Sequence, residues 1–88
     1  NSYITDIAQK TVRERVAEVL LSLVKDFGLD EQKYLRISLT REELANIVGT
    51  ATESVIRLLS EFKSDRLIEL NGRKIKIIDQ KGLEKISS

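Results

Sequence analysis

Residues 43–62 read ELANIVGTATESVIRLLSEF. This stretch decides the fold. Its second part carries Val55, Leu58, Leu59 and Phe62 at spacings i, i+3, i+4 and i+7, which is the apolar stripe of an amphipathic helix packed on a core. Its first part is a shorter apolar-periodic segment that ends at Gly49. The outer face of the second helix carries Thr52, Glu53, Ile56 and Arg57, and an ordinary solvated face has no need of Ile56. Thr40 with Glu43 three residues later is a capping box, and Thr50 with Glu53 is a second one. The spacing therefore predicts a helix opened by Thr40, a tight turn at Gly49, and a helix over 51–64.

Two helices joined across a glycine-centred turn form the helix-turn-helix pattern. Ala45 is small where the second helix must cross the first. Gly49 tolerates the positive φ that the turn requires. Leu44 and Val48 are expected to face Val55 and Leu58 across the crossing.

Working outward, residues 6–27 read as a long helix with Ile7, Val12, Val16, Val19, Leu20, Leu23, Val24 and Phe27 inward, ended by Gly28. LDEQK (29–33) is loop-like. YLRISL (34–39) alternates as a short strand with Leu35, Ile37 and Leu39 on one side. Downstream, LIEL and RKIKII flank Asn71–Gly72, a signature of a type I′ hairpin turn, and define a wing over 68–78. Asp79 is a plausible N-cap for a last short helix that docks Leu83 and Ile86, with Gly82 weakening it. The expected fold class is mainly α with a small β-hairpin (α+β), a winged helix-turn-helix.

The 88 residues form one small domain with a thin core. Cysteine and histidine are both absent, which removes disulfides, thiol chemistry, zinc-finger ligation and the usual general base. No arrangement of the remaining carboxylates and lysines resembles a catalytic site, so no enzyme is expected. There is no apolar run of 18 residues and no secretory signal pattern. The chain lacks any methionine and is expected to be a piece of a longer protein. Residues 1–48 carry 7 basic and 8 acidic side chains, and residues 49–88 carry 8 and 6. That weak asymmetry permits a polyanionic partner on the second half.

A helix-turn-helix sets the start of its second helix in the major groove of DNA. The side chains then expected at base edges are Thr52, Glu53, Ile56 and Arg57. Arginine can bond guanine O6 and N7 together, glutamate can accept from cytosine N4, and an aliphatic group can touch a thymine methyl. The expected phosphate contacts are Thr40, Arg41, Thr50, Ser54, Asn71, Arg73 and Lys74, which set register without reading sequence. Each has a plainer reading. Glu53 and Arg57 also form an ordinary exposed i, i+4 ion pair, which could orient Arg57 before binding. Ile56 could be a simple exposed aliphatic, and charges beside a hairpin also blunt a sheet edge.

From about Thr11 to Ile86 the chain resembles the C-terminal DNA-binding domain of the Crp/Fnr family of bacterial transcription regulators. The resemblance rests on ISLTREELANIVGTATESVIRLLSEFKSDRLIELNGRKIKIID. It implies that the Glu-x-x-x-Arg pair, Glu53 and Arg57, reads a G·C pair, that Thr40–Arg41 contacts phosphate, and that NGRK forms the wing. Two positions depart from family habit: Thr52, where some members have arginine, and Ile56, where a small residue is usual. The resemblance further implies an N-terminal sensor and dimerisation region, with residues 1–10 as the end of its linker and 11–88 as the DNA-binding domain. Double-stranded DNA is the expected partner, with a homodimer in the whole protein, in the bacterial cytoplasm. No cofactor or metal is expected within these residues; an effector would belong to the sensor region. In some members the loop after the first helix touches RNA polymerase, although an ordinary connector is the simpler reading of residues 29–33. The rival from another class is a winged-helix protein-interaction module, which would favour clustered apolar or aromatic residues on the outer face of the second motif helix.

Overall fold

The computed structural model describes residues 10–87. Helix α1 spans Val12–Phe27, α2 Arg41–Val48 and α3 Thr52–Ser64. Strands β1 (Ile68–Asn71) and β2 (Lys74–Ile77) follow, and α4 (Gln80–Ser87) closes the domain. The helices and the hairpin follow in the expected order, but the strand expected between α1 and α2 is absent and several boundaries shift.

The first helix begins at Val12. Thr11 is its N-cap, with its hydroxyl accepting from the Glu14 N–H while the Glu14 carboxylate accepts from the Thr11 N–H. Ile7 lies outside the described residues. Val16, Ala17, Leu20 and Leu23 are buried, with Val12, Val19 and Val24 half-buried around them. Phe27, expected inside, is 48% exposed. It stands in the last turn with Lys25 and Asp26, also exposed, where the small core no longer reaches the helix.

The expected strand at 34–39 is not a strand. Tyr34 forms a single bridge to Lys76, with Leu35 N–H donating to the Ile75 carbonyl and Ile77 N–H to that of Lys33. Leu35 bridges back to Leu29 on its other side. The inward alternation is real, because Leu35 is buried and Ile37 and Leu39 are half-buried, but no ladder continues past Leu35.

Helix α2 opens with the expected capping box between Thr40 and Glu43. It closes at Gly49, whose φ of 84° and ψ of 43° place it in the left-handed region. The second capping box does not form. The N–H groups of Gly49 and Thr50 both donate to the Ala45 carbonyl, so Thr50 completes the end of α2. Ala51 then becomes the N-cap of α3 and offers no side-chain bond. Val55, Leu58, Leu59 and Phe62 are buried as the stripe requires. The C-terminus of α3 is closed by Arg66, at φ 61°, with Arg66 and Leu67 N–H groups donating to the carbonyls of Lys63 and Phe62.

The hairpin pairs Ile68 with Ile77, Glu69 with Lys76, Leu70 with Ile75 and Asn71 with Lys74. Asn71 is therefore a strand residue, and the two-residue turn is Gly72–Arg73, one position later than expected. Only Gly72 has positive φ, at 62°. That is the pattern of a type II′ turn, with glycine in the first central position, rather than type I′.

Asp79 caps α4, its carboxylate accepting from the Gly82 N–H at 3.0 Å. Gly82 stands within the helix for a packing reason. A Cβ there would lie 2.5 Å from Leu67 Cδ2 and 2.8 Å from Asp79 Oδ2. Leu83 is fully buried against the core, with Ile86 half-buried beside it. The core joins all the elements, and Phe62, Leu20, Leu44, Leu59 and Ile68 are among its fully buried members. At roughly 1.5–3 kcal/mol for each large apolar side chain removed from water, this cluster is the main source of stability in so small a domain. No polar or charged residue is buried among the described residues.

Candidate nucleic-acid interface

Helix α3 buries one stripe and exposes another. Glu53, Ile56, Arg57 and Ser60 are exposed at spacings of three to four residues, so they share a face. Thr52 and Ser54 are half-buried in the first turn. The expected base-edge residues are thus brought together, and Ser60 joins them one turn further on. Its helical spacing from Ile56 and Arg57 was the available signal for it. Ile56 is 48% exposed and is the only large apolar side chain on this face.

Arg57 does not pair with Glu53. Its Nη1 donates to Glu61 Oε2 at 2.9 Å, one turn toward the C-terminus. The other oxygen of Glu61 accepts from Arg13 Nη1 at 3.0 Å. Arg13 also reaches Asp65 at 3.4 Å and lies over the Phe62 ring, 5.1 Å from its centroid. Neither Arg13 nor Glu61 was among the residues expected at the site. Glu53 is left exposed without a hydrogen bond or ion pair among the described residues.

The start of α2 and the turn of the hairpin meet. Arg41 Nη2 donates to the Gly72 carbonyl at 2.9 Å. The Glu43 carboxyl is held below the usual carboxylate range, first by the hydrogen bonds from the Thr40 backbone and hydroxyl, and less by the charge of Arg73. Arg73, Lys74 and Asn71 are all exposed at this end of the hairpin. The structure therefore gathers Thr40, Arg41, Asn71, Arg73 and Lys74 at one place. It also turns the Arg41 guanidinium inward, where it secures the wing. The Thr40 hydroxyl and N–H are both engaged with Glu43. Thr50 lies half-buried between the motif helices, its N–H committed to α2.

On the same face of β2 as Lys74, Lys76 stands over the Tyr34 ring at 5.7 Å and is paired in register with Glu69. It is a surface residue of the sheet, away from the turn. Among the described residues no cluster of acidic side chains is placed to hold a metal ion, and no helix is long and apolar enough to cross a membrane.

Residues 14–86 match the family described as the Crp-like helix-turn-helix domain. The CRP-like cAMP-activated global transcriptional regulator of Mycobacterium tuberculosis is 36% identical over 85 residues, which cover 94% of this chain and 38% of that protein. The transcriptional activator protein FnrA of Stutzerimonas stutzeri is 32% identical over 80 residues, covering 88% of this chain and 32% of that one. Among solved structures, the CO-dependent transcription factor CooA of Carboxydothermus hydrogenoformans superposes with a TM-score of 0.80 at 32% identity, covering 98% of this chain and 41% of CooA. The chain thus spans about a third of the length of the curated relatives it matches.

Proposed function

The chain belongs to the Crp/Fnr family of transcription regulators, as its Crp-like helix-turn-helix domain, and from that premise we propose that it reads duplex DNA with α3 in the major groove and the β1–β2 hairpin on the backbone. One observation carries this reading. Glu53, Ile56 and Arg57 form an exposed face on a helix whose other side is locked into the core, and a wing tied to the start of α2 presents Arg73 and Lys74.

In the proposed complex Arg57 bonds guanine O6 and N7, Glu53 accepts from the cytosine amine, Ile56 meets a thymine methyl, and Thr52 stands at the outer part of the half-site. Thr50, Ser54, Asn71, Arg73 and Lys74 face phosphates. Thr40 and Arg41 carry the turn of the wing to the same backbone. The first N–H groups of α3 have no side-chain cap and point where an anion is favoured. The whole regulator acts in the bacterial cytoplasm as a homodimer on half-sites about 34 Å apart. RNA polymerase is a partner in this reading. A protein-interaction module is not favoured, because the outer face of α3 has Ile56 alone where such a surface needs a cluster.

The test is Arg57→Ala. Sites selected from random duplexes by the wild-type protein define the cognate half-site. Arg57→Ala is expected to lose roughly 1–3 kcal/mol of discrimination at one G·C pair. An unchanged ratio between cognate and scrambled sites overturns the reading.

A further inference from the structure

Glu61 is the one carboxylate in the described residues that bridges two arginines on different helices. Its Oε1 accepts from Arg13 on α1 and its Oε2 from Arg57 on α3. Arg13 is itself fixed, by the ion pair to Asp65 and by its place over the buried Phe62 ring. Glu61 is therefore an acceptor held in place by a neighbouring helix, whereas an isolated i, i+4 partner would be free to swing.

The bond to Arg57 uses Nη1 only. A guanidinium carries five N–H donors in a planar fork, so the edge formed by Nε and Nη2 remains free. That edge can make the two parallel bonds that guanine O6 and N7 require. A carboxylate on Nη1 fixes the plane of the fork. It also offsets the positive charge that would otherwise draw the arginine to any nearby phosphate.

We propose that Glu61, anchored by Arg13, is a positioning residue that holds the Arg57 fork for guanine and restrains it from non-specific phosphate contact. This rests on the assignment of Arg57 to a base edge. Energetically the exposed pair contributes little to folding, as surface ion pairs do. The side chains of Arg57 and Glu61 are 63% and 42% exposed. Substituting Glu61 should therefore leave the fold intact, and any loss of discrimination reports on the reading geometry.

The experiment measures binding of the full protein to the selected cognate duplex, to the same duplex with the Arg57-dependent G·C pair replaced, and to random-sequence duplex. For Glu61→Ala, the ratio between the first two is expected to fall about fivefold or more, as for a weakened bidentate contact. Affinity for random-sequence DNA should rise, and its log–log salt slope should steepen by about 0.9, one further phosphate neutralised. Glu61→Gln, which keeps the shape and one acceptor oxygen, should show a smaller loss. Arg13→Met, which keeps an apolar group on Phe62, should move the ratio in the same direction. In an Arg57→Ala background, Glu61→Ala should change the ratio no further, because the two residues act through one contact.

An unchanged ratio in both Glu61→Ala and Glu61→Gln, or an equal further loss in the Arg57→Ala background, overturns the proposal. If Arg57→Ala alone leaves the ratio unchanged, the assignment of Arg57 fails and the role of Glu61 fails with it. If Arg57→Ala lowers the ratio and the Glu61 variants do not, only the role of Glu61 is lost.

Discussion

The two motif helices begin differently. Helix α2 opens on a closed capping box, in which Thr40 and Glu43 satisfy each other's N–H groups. Helix α3 opens on Ala51, which has no side-chain bond to give; only its carbonyl accepts, from the Ser54 and Val55 N–H groups. Nothing in the apolar pattern separates them, since both bury a stripe against the same core. The difference lies in what each N-terminus is left free to do. The supporting helix completes its own hydrogen bonding within the protein, as α1 does through Thr11 and Glu14. Helix α3 leaves the N–H groups of Thr52 and Glu53 without a side-chain cap. A domain that stabilised every helix start equally would have less to offer an anionic partner.

Removing the cap of α2 should have the larger effect. Thr40→Ala is expected to cost about 1 kcal/mol of stability at neutral pH, measured by urea unfolding. A value near zero would make the two helix starts equivalent and break the contrast. Adding a cap to α3 should have a smaller and opposite effect. Ala51→Ser is expected to gain about 0.5 kcal/mol of stability and to weaken DNA binding, because the serine oxygen competes for the N–H groups. Undiminished binding would show that the open N-terminus is not used on phosphate.

The smallest effect concerns pH. Glu43 and Glu14 are both held below the ordinary value of 4.5, chiefly by the bonds from Thr40 and Thr11. A depressed carboxyl stabilises the fold above its unfolded pKa, and that contribution is lost as pH falls through the folded value. Stability should therefore decline below about pH 4.5, and Thr40→Ala should flatten part of that decline. An identical acid limb in wild type and Thr40→Ala would remove the carboxylate from the cap's contribution.

Much of this was legible because the decisive signals are local. The stripe of α3, the box at Thr40, the positive φ at Gly49 and the docking of Leu83 all follow from residues a few positions apart. The errors arose where two local rules compete. Thr50 and Glu53 have the right spacing for a cap, but closing α2 at Gly49 consumes the Thr50 N–H and moves the next helix start by one. Asn-Gly suggested its own turn, yet the pairing of Ile68 with Ile77 sets the register and pushes Asn71 into the strand. Leu35, Ile37 and Leu39 alternate as a strand would, but the segment has only one bridge to β2 to hold it.

The partner of Arg57 shows the limit most clearly. Glu53 and Glu61 lie equally far along the helix, and a glutamate on the N-terminal side is the locally favoured choice. The structure takes the other one. Arg13, on a helix about fifty residues away in sequence, fixes Glu61 in place and leaves Glu53 exposed. Spacing within one helix carries no record of that third side chain. Arg66 in left-handed conformation has no local mark in the sequence for a similar reason: the close of α3 is dictated by where Leu67 must enter the core, and no glycine stands there.

The bond from Arg41 to the Gly72 carbonyl changes when the wing becomes ordered. A two-stranded hairpin on its own is marginal in water. Tied at its turn to the first residue of α2, this one has its conformational entropy removed as the domain folds. In the proposed complex, a phosphate meeting Arg73 and Lys74 finds them already arranged, and the association is spared the ordering of a loose loop. On that reading Arg41, one of the expected phosphate ligands, serves recognition through entropy, by holding another element still.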